Sequence, residues 1–143
     1  MIIIKDAGQI KWCLKESFSC MVIIAKYDKG KSSIITEAIH DFFGEANTVY
    51  LTFTEQAKPG FVPREVKVKF GEHIKGKVIV FDEVSDDKNR NIRAYLNELI
   101  KNNKVIILSN PYGSSNNPEK EISLFKEHED VPEDAKFIFL KDA

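Results

Sequence analysis

The segment Met21–Ile39, MVIIAKYDKGKSSIITEAI, restricts the fold of this chain more than any other stretch. Met21–Ala25 is continuously apolar, as a strand buried on both faces should be. A short polar loop follows, ending in Gly30-Lys31-Ser32. Ile34, Ile35, Ala38, Ile39, Phe42 and Phe43 then recur at helical spacing, and Gly44 is placed to end the helix. A strand that feeds a helix through so short a loop delivers that loop to the edge of a sheet.

The loop residues suit a polyphosphate. Consecutive backbone N–H groups wrap the anion while the next helix aims its positive end at it. The candidate cradle is Ala25, Lys26, Tyr27, Asp28, Lys29, Gly30, Lys31, Ser32 and Ser33. In it Lys31 reaches the β- and γ-phosphates and the Ser32 hydroxyl ligates Mg²⁺. Against the pattern G-x-x-x-x-G-K-S/T, Ala25 stands at the first glycine and Asp28 where many such loops use a second. One extra methyl at Ala25 is a small intrusion. Asp is among the few non-glycine types that accept left-handed dihedrals, and the flanking Lys26 and Lys29 offset its charge. The competing reading is a plain turn with a solvated lysine, so the remaining chain has to decide.

Its strands and helices alternate. Met1–Ile4 reads as a short strand, Gln9–Ser17 as a helix, and Thr48–Phe53, Val78–Phe81, Val105–Leu108 and Phe137–Leu140 as further strands. Ser85 caps a helix with Asp86 and Asp87 in its first turn; Ile92, Tyr95, Leu96, Leu99 and Ile100 form its apolar face, and Asn102 and Asn103 end it. This alternation predicts a single α/β domain over residues 1–143, a three-layer α/β/α sandwich with a mainly parallel sheet. Ligands of such sheets sit beyond the carboxyl ends of the strands.

Two of those strand ends carry chemistry. Val78-Ile-Val-Phe leads into Asp82-Glu83, where Asp82 can hold Mg²⁺ and Glu83 can polarise an attacking water. Val105-Ile-Ile-Leu-Ser leads into Asn110-Pro111, whose amide can bond both a γ-phosphate and the lytic water. An acidic strand exit or an Asn-Pro turn is ordinary taken alone; three polar exits on one sheet edge are less so.

AKYDKGKSS, VIVFDE and VIILSNP, in that order, resemble the P-loop ATPases that carry an additional strand and a catalytic glutamate. The Asp–Glu pair with a sensor asparagine is similar to superfamily-III viral helicases and their AAA+ relatives. The resemblance implies a P-loop fold of core strand order 5-1-4-3-2, ATP and Mg²⁺ as cofactors, and catalytic roles for Lys31, Glu83 and Asn110. It also implies work on nucleic acid in a replication, packaging or recombination motor, with ring-forming copies or other motor subunits as partners. Between Asn110 and Phe137, where AAA+ relatives place an arginine finger, the chain offers Lys120 and Lys126 and no arginine. The alternative is a degenerate P-loop module that scaffolds other subunits without hydrolysis. A small-molecule kinase is disfavoured, because no Arg-rich lid segment exists and Asp82-Glu83 favours water as acceptor.

Charge is unevenly spread. The formal net charge of −1 argues against bulk nucleic-acid coating but permits a local basic surface. Glu55–Lys77 holds six basic residues against three acidic ones, a formal excess of +3. Lys58, Arg64, Lys67 and Lys69, with Phe61 and Phe70 interleaved, suit single-stranded nucleic acid. In hexameric relatives this interval bears the pore loop, whose tip here is Lys58-Pro59-Gly60-Phe61. A plain β-hairpin competes, since Val66, Val68 and Phe70 alternate with Lys67 and Lys69. Ser114–Ala143 runs the other way, with eight acidic residues against four lysines, and Asn116–Pro118 in it reads as a loop. Such polarity favours head-to-tail association. Cys13 and Cys20 read as buried thiols in a reducing compartment, and His40, His73 and His128 as packing or surface residues rather than metal ligands. The opening MIIIKD is too short for a span or a secretory signal, so a cytoplasmic, non-membrane location is expected.

Overall fold

A computed structural model describes residues 1–26, 31–52, 75–82, 96–97, 99–113, 117–129 and 131–141. The strands are β1 (Ile2–Ile4), β2 (Cys20–Ile24), β3 (Thr48–Thr52), β4 (Val78–Asp82), β5 (Lys104–Ser109) and β6 (Lys136–Leu140). The helices are α1 (Ile10–Cys13), α2 (Lys31–Phe43) and α3 (Pro118–His128), with short 3-10 turns at Ala7–Gln9 and Glu45–Asn47. Leu96, Asn97, Leu99 and Ile100 are helical as well. The six strands form one sheet in the order β1-β6-β2-β5-β4-β3. Every pairing in it is parallel.

Alternation along the strands divides the core between the two faces of the sheet. Met21 and Ile23, Val78 and Val80, Ile106 and Leu108, and Ile138 and Leu140 pack with Ile10, Leu14, Ile35 and Ile39 of the α1–α2 layer. Their neighbours Cys20, Val22 and Ile24, Ile79 and Phe81, Val105 and Ile107, and Phe137 and Phe139 pack with Leu96, Leu99, Ile122 and Phe125 on the other side. All five residues of β2 are buried, as a central parallel strand covered on both faces requires. Each large aliphatic side chain so buried contributes about 1.5–3 kcal/mol relative to exposure. The result is a three-layer α/β/α arrangement, a Rossmannoid fold.

Several elements differ from the sequence reading. The helix expected over Gln9–Ser17 is short: Asp6 and Gln9 form a capping box that starts a 3-10 turn at Ala7, and α1 ends at Cys13. Ile10, Cys13 and Leu14 are nonetheless buried, and they fall at the i, i+3, i+4 spacing of one helix face. On α2 the buried stripe is narrower than expected, with Ile35, Ala38 and Ile39 inside and Ile34 and Phe42 exposed, because residues one position off the stripe lie about 100° round a helix. Gly44 does follow the helix: its N–H donates to the His40 carbonyl at 2.8 Å, and its φ of 89° favours glycine. Asp82 belongs to β4 itself. Where a loop was expected over Asn116–Pro118, α3 already starts: Asn117 is its N-cap, accepting from the Lys120 N–H at 3.2 Å, and Pro118 is its first residue, while Asn116 lies outside the described residues. Ile92, Tyr95 and Phe53 lie outside the described residues.

Candidate functional site

The carboxyl ends of β2, β5 and β4 lie next to one another along the sheet. Ile24 pairs with Ser109, and the Ala25 N–H donates to the Ser109 carbonyl at 3.0 Å, so the chain leaving β2 begins against the end of β5. Phe81 pairs with Ile107, which brings Asp82, the last residue of β4, level with that end. Ala25 and Lys26 follow β2, Asn110 follows β5, and Lys31, Ser32 and Ser33 open α2. Tyr27, Asp28, Lys29 and Gly30 of the candidate cradle lie outside the described residues, as do Glu83 and the basic candidates Lys58, Phe61, Arg64, Lys67 and Lys69.

The exit after β5 is fastened to α3. Asn110 is half-buried, and its carbonyl accepts from the Ser109 hydroxyl at 2.9 Å. Three residues on, the Gly113 N–H donates to Glu121 Oε2 at 3.1 Å. Glu121 is fully buried, and its Oε1 has no hydrogen-bond partner. The Tyr112 hydroxyl donates to Glu129 Oε1 at 2.9 Å, and its ring stacks on His128 with centroids 4.5 Å apart. A carboxylate within α3 and the one that caps its C-terminus thus hold the segment that Asn110 begins. Sequence reasoning missed both, since each falls in the acidic run Ser114–Ala143; Asn117-Pro118, an N-cap followed by a first-turn proline, is the signal that could have placed a packed helix there.

Cys13 and Cys20 are free thiols, and both are buried. Burial, with the Asp134 carboxylate adding to it, pushes the Cys20 thiol up to about 12. Burial and, secondarily, Glu16 also raise Cys13. Neither is a poised nucleophile. Among the described residues no group of three or more His, Cys, Asp and Glu could hold a metal ion, and no helix is long and apolar enough to cross a membrane.

Fold and strand ends together define a Rossmannoid α/β domain, compatible in general terms with nucleotide binding and with an enzyme of that broad group. No family model and no curated protein matches the chain.

Proposed function

We propose that this chain is an ATP-binding, Mg²⁺-dependent ATP-hydrolysing domain of the additional-strand, catalytic-glutamate class of P-loop ATPases, coupled to nucleic-acid remodelling. The observation that carries the reading is the order of the strands. Counted from β2, the run β6-β2-β5-β4-β3 supports the 5-1-4-3-2 order that the resemblance implies. That order sets the exits of β2, β5 and β4 side by side, with the first turn of α2 following from the same edge.

In this reading Lys31 neutralises phosphate charge, Ser32 and Asp82 hold the magnesium ion, Glu83 orients and activates water, and Asn110 senses the γ-phosphate. Magnesium takes one or two protein oxygens together with phosphate oxygens and water, so a strand-end carboxylate and a helix-opening hydroxyl suit it without a dense acidic cage. The bound ion supplies neutralisation of the charge that develops on the phosphate oxygens. The buried anchorage of the Asn110 segment on α3 supports a positioning role, because a sensor amide must hold its place to within a fraction of an ångström.

The test is turnover of Mg²⁺-ATP with and without single-stranded DNA. Glu83→Gln is expected to slow turnover by about 100-fold while retaining nucleotide, in line with loss of a general base, and Lys31→Ala to lose both. A wild-type chain that binds ATP without turning it over would favour the scaffold module; one that does not bind ATP at all would reject the proposal.

A further inference from the structure

Glu121 takes no part in the chemistry of the strand ends, yet it is fully buried in the first turn of α3. One of its oxygens is matched and the other is not. Oε2 accepts from the Gly113 N–H at 3.1 Å, whereas Oε1 has no hydrogen-bond partner among the described residues. A carboxylate oxygen buried without a donor costs free energy, so stability does not account for a glutamate at this place. Oε1 is packed instead on the chain that the side chain holds: a Cβ at Gly113 would meet it at 2.9 Å. What Glu121 supplies is a fit to the segment that leaves β5.

That segment is short and pinned at both ends. At its start the Ala25 N–H donates to the Ser109 carbonyl at 3.0 Å, and the Ser109 hydroxyl donates to the Asn110 carbonyl at 2.9 Å. At its end Gly113 is bonded to Glu121. In between, the ring of Pro111 fixes its φ, and Glu129 accepts from the Tyr112 hydroxyl at 2.9 Å. Few free torsions separate the two pins, so a shift of Gly113 is passed on to Asn110. The helix that carries Glu121 is itself fastened to the sheet. Ile122 and Phe125 pack in one core with Phe137 of β6, and the rings of Phe125 and Phe137 meet edge to face with centroids 5.9 Å apart.

We propose that Glu121 is a positioning residue for ATP hydrolysis: by holding the Gly113 N–H it sets the place of the Asn110 amide at the nucleotide edge, so that turnover depends on it and nucleotide binding does not. The inference rests on the proposed ATPase reading and adds to it a residue outside the motifs that carry the resemblance. In that reading the phosphates and the metal ion are bound by Lys31, Ser32 and Asp82, while the amide acts only when γ-phosphate and water are aligned. A misplaced amide therefore lowers kcat and leaves KM in place.

The experiment is steady-state turnover of Mg²⁺-ATP by the full chain and its variants. Glu121→Met keeps the length of the side chain and removes the acceptor; it is expected to lower kcat roughly 10- to 100-fold with KM unchanged within about twofold, the loss that a misplacement of about 1 Å brings. Glu121→Gln offers an amide oxygen to the same N–H and should restore most of that loss. Gly113→Ala presses on the contact from the other side, should show the same split between kcat and KM, and decides the matter if Glu121→Met does not fold. Asn117→Ala weakens α3 at its cap without touching the tether and should leave kcat within about twofold of wild type. The inference would be overturned, with the ATPase reading intact, by unchanged turnover in Glu121→Met and Gly113→Ala, by a rise in KM in place of a fall in kcat, by Glu121→Gln no better than Glu121→Met, or by an equal loss of kcat in Asn117→Ala. A wild-type chain without turnover would reject that reading and the inference with it.

Discussion

At the scale of single residues, the tightest constraint near the candidate site is Gly113. A Cβ there would meet Glu121 Oε1 at 2.9 Å and the Leu124 side chain at 3.2 Å. Both belong to a packed helix, and overpacking of this kind costs about 1–3 kcal/mol. Gly113→Ala is expected to lower the unfolding free energy by that amount, read as a fall in the urea midpoint, and to slow ATP turnover more than it weakens ATP binding, since the strained segment begins at Asn110. Cys20 makes a second prediction. Its thiol is raised from 9.0 to about 12 in the folded chain, so the native state holds its proton longer than the unfolded state does. The stability this provides is complete below pH 9 and is lost as pH rises through the interval up to about 12, at a slope of about 1.4 kcal/mol per pH unit. Urea titrations at several alkaline pH values should show that decline in the wild type and a shallower one in Cys20→Ala.

At the scale of elements, α3 depends on its cap. Asn117→Ala removes the acceptor for the Lys120 N–H and should cost about 1 kcal/mol in unfolding free energy. A central strand is less forgiving: Ile107 is buried within β5 between β2 and β4, and Ile107→Ala should cost about 2–5 kcal/mol. The strands were legible because a parallel sheet covered on both faces writes itself as apolar runs, as MVII and VIVF do. The helices were legible only in part. Ile35, Ala38 and Ile39 gave α2 its buried stripe, but periodicity did not tell which neighbours the layer would cover, and Ile34 and Phe42 stay exposed. α3 was hidden by its charge: Glu121 and Glu129 fall in the acidic run Ser114–Ala143, yet both are buried against the Asn110–Gly113 segment. A tertiary partner decided that, and no local pattern carries it. Of the site, the residue types at the strand ends were readable, whereas the adjacency of those ends follows from the crossover order of the sheet.

At the scale of the whole molecule, the parallel order of the sheet sets all its strand ends along one edge and all its strand starts along the other. The edge at the strand ends gathers the exits of β2, β5 and β4, and the edge at the strand starts gathers Lys77, Lys101 and Lys104 in a cleft. Everything rests first on the nucleotide edge. Titration of the chain with a fluorescent ATP analogue, with and without Mg²⁺, tests it most directly. Saturable binding that needs Mg²⁺ and is weakened at least about tenfold by Lys31→Ala, equivalent to about 1.4 kcal/mol, is the predicted result. No binding, or binding indifferent to both the metal and Lys31, would contradict the account.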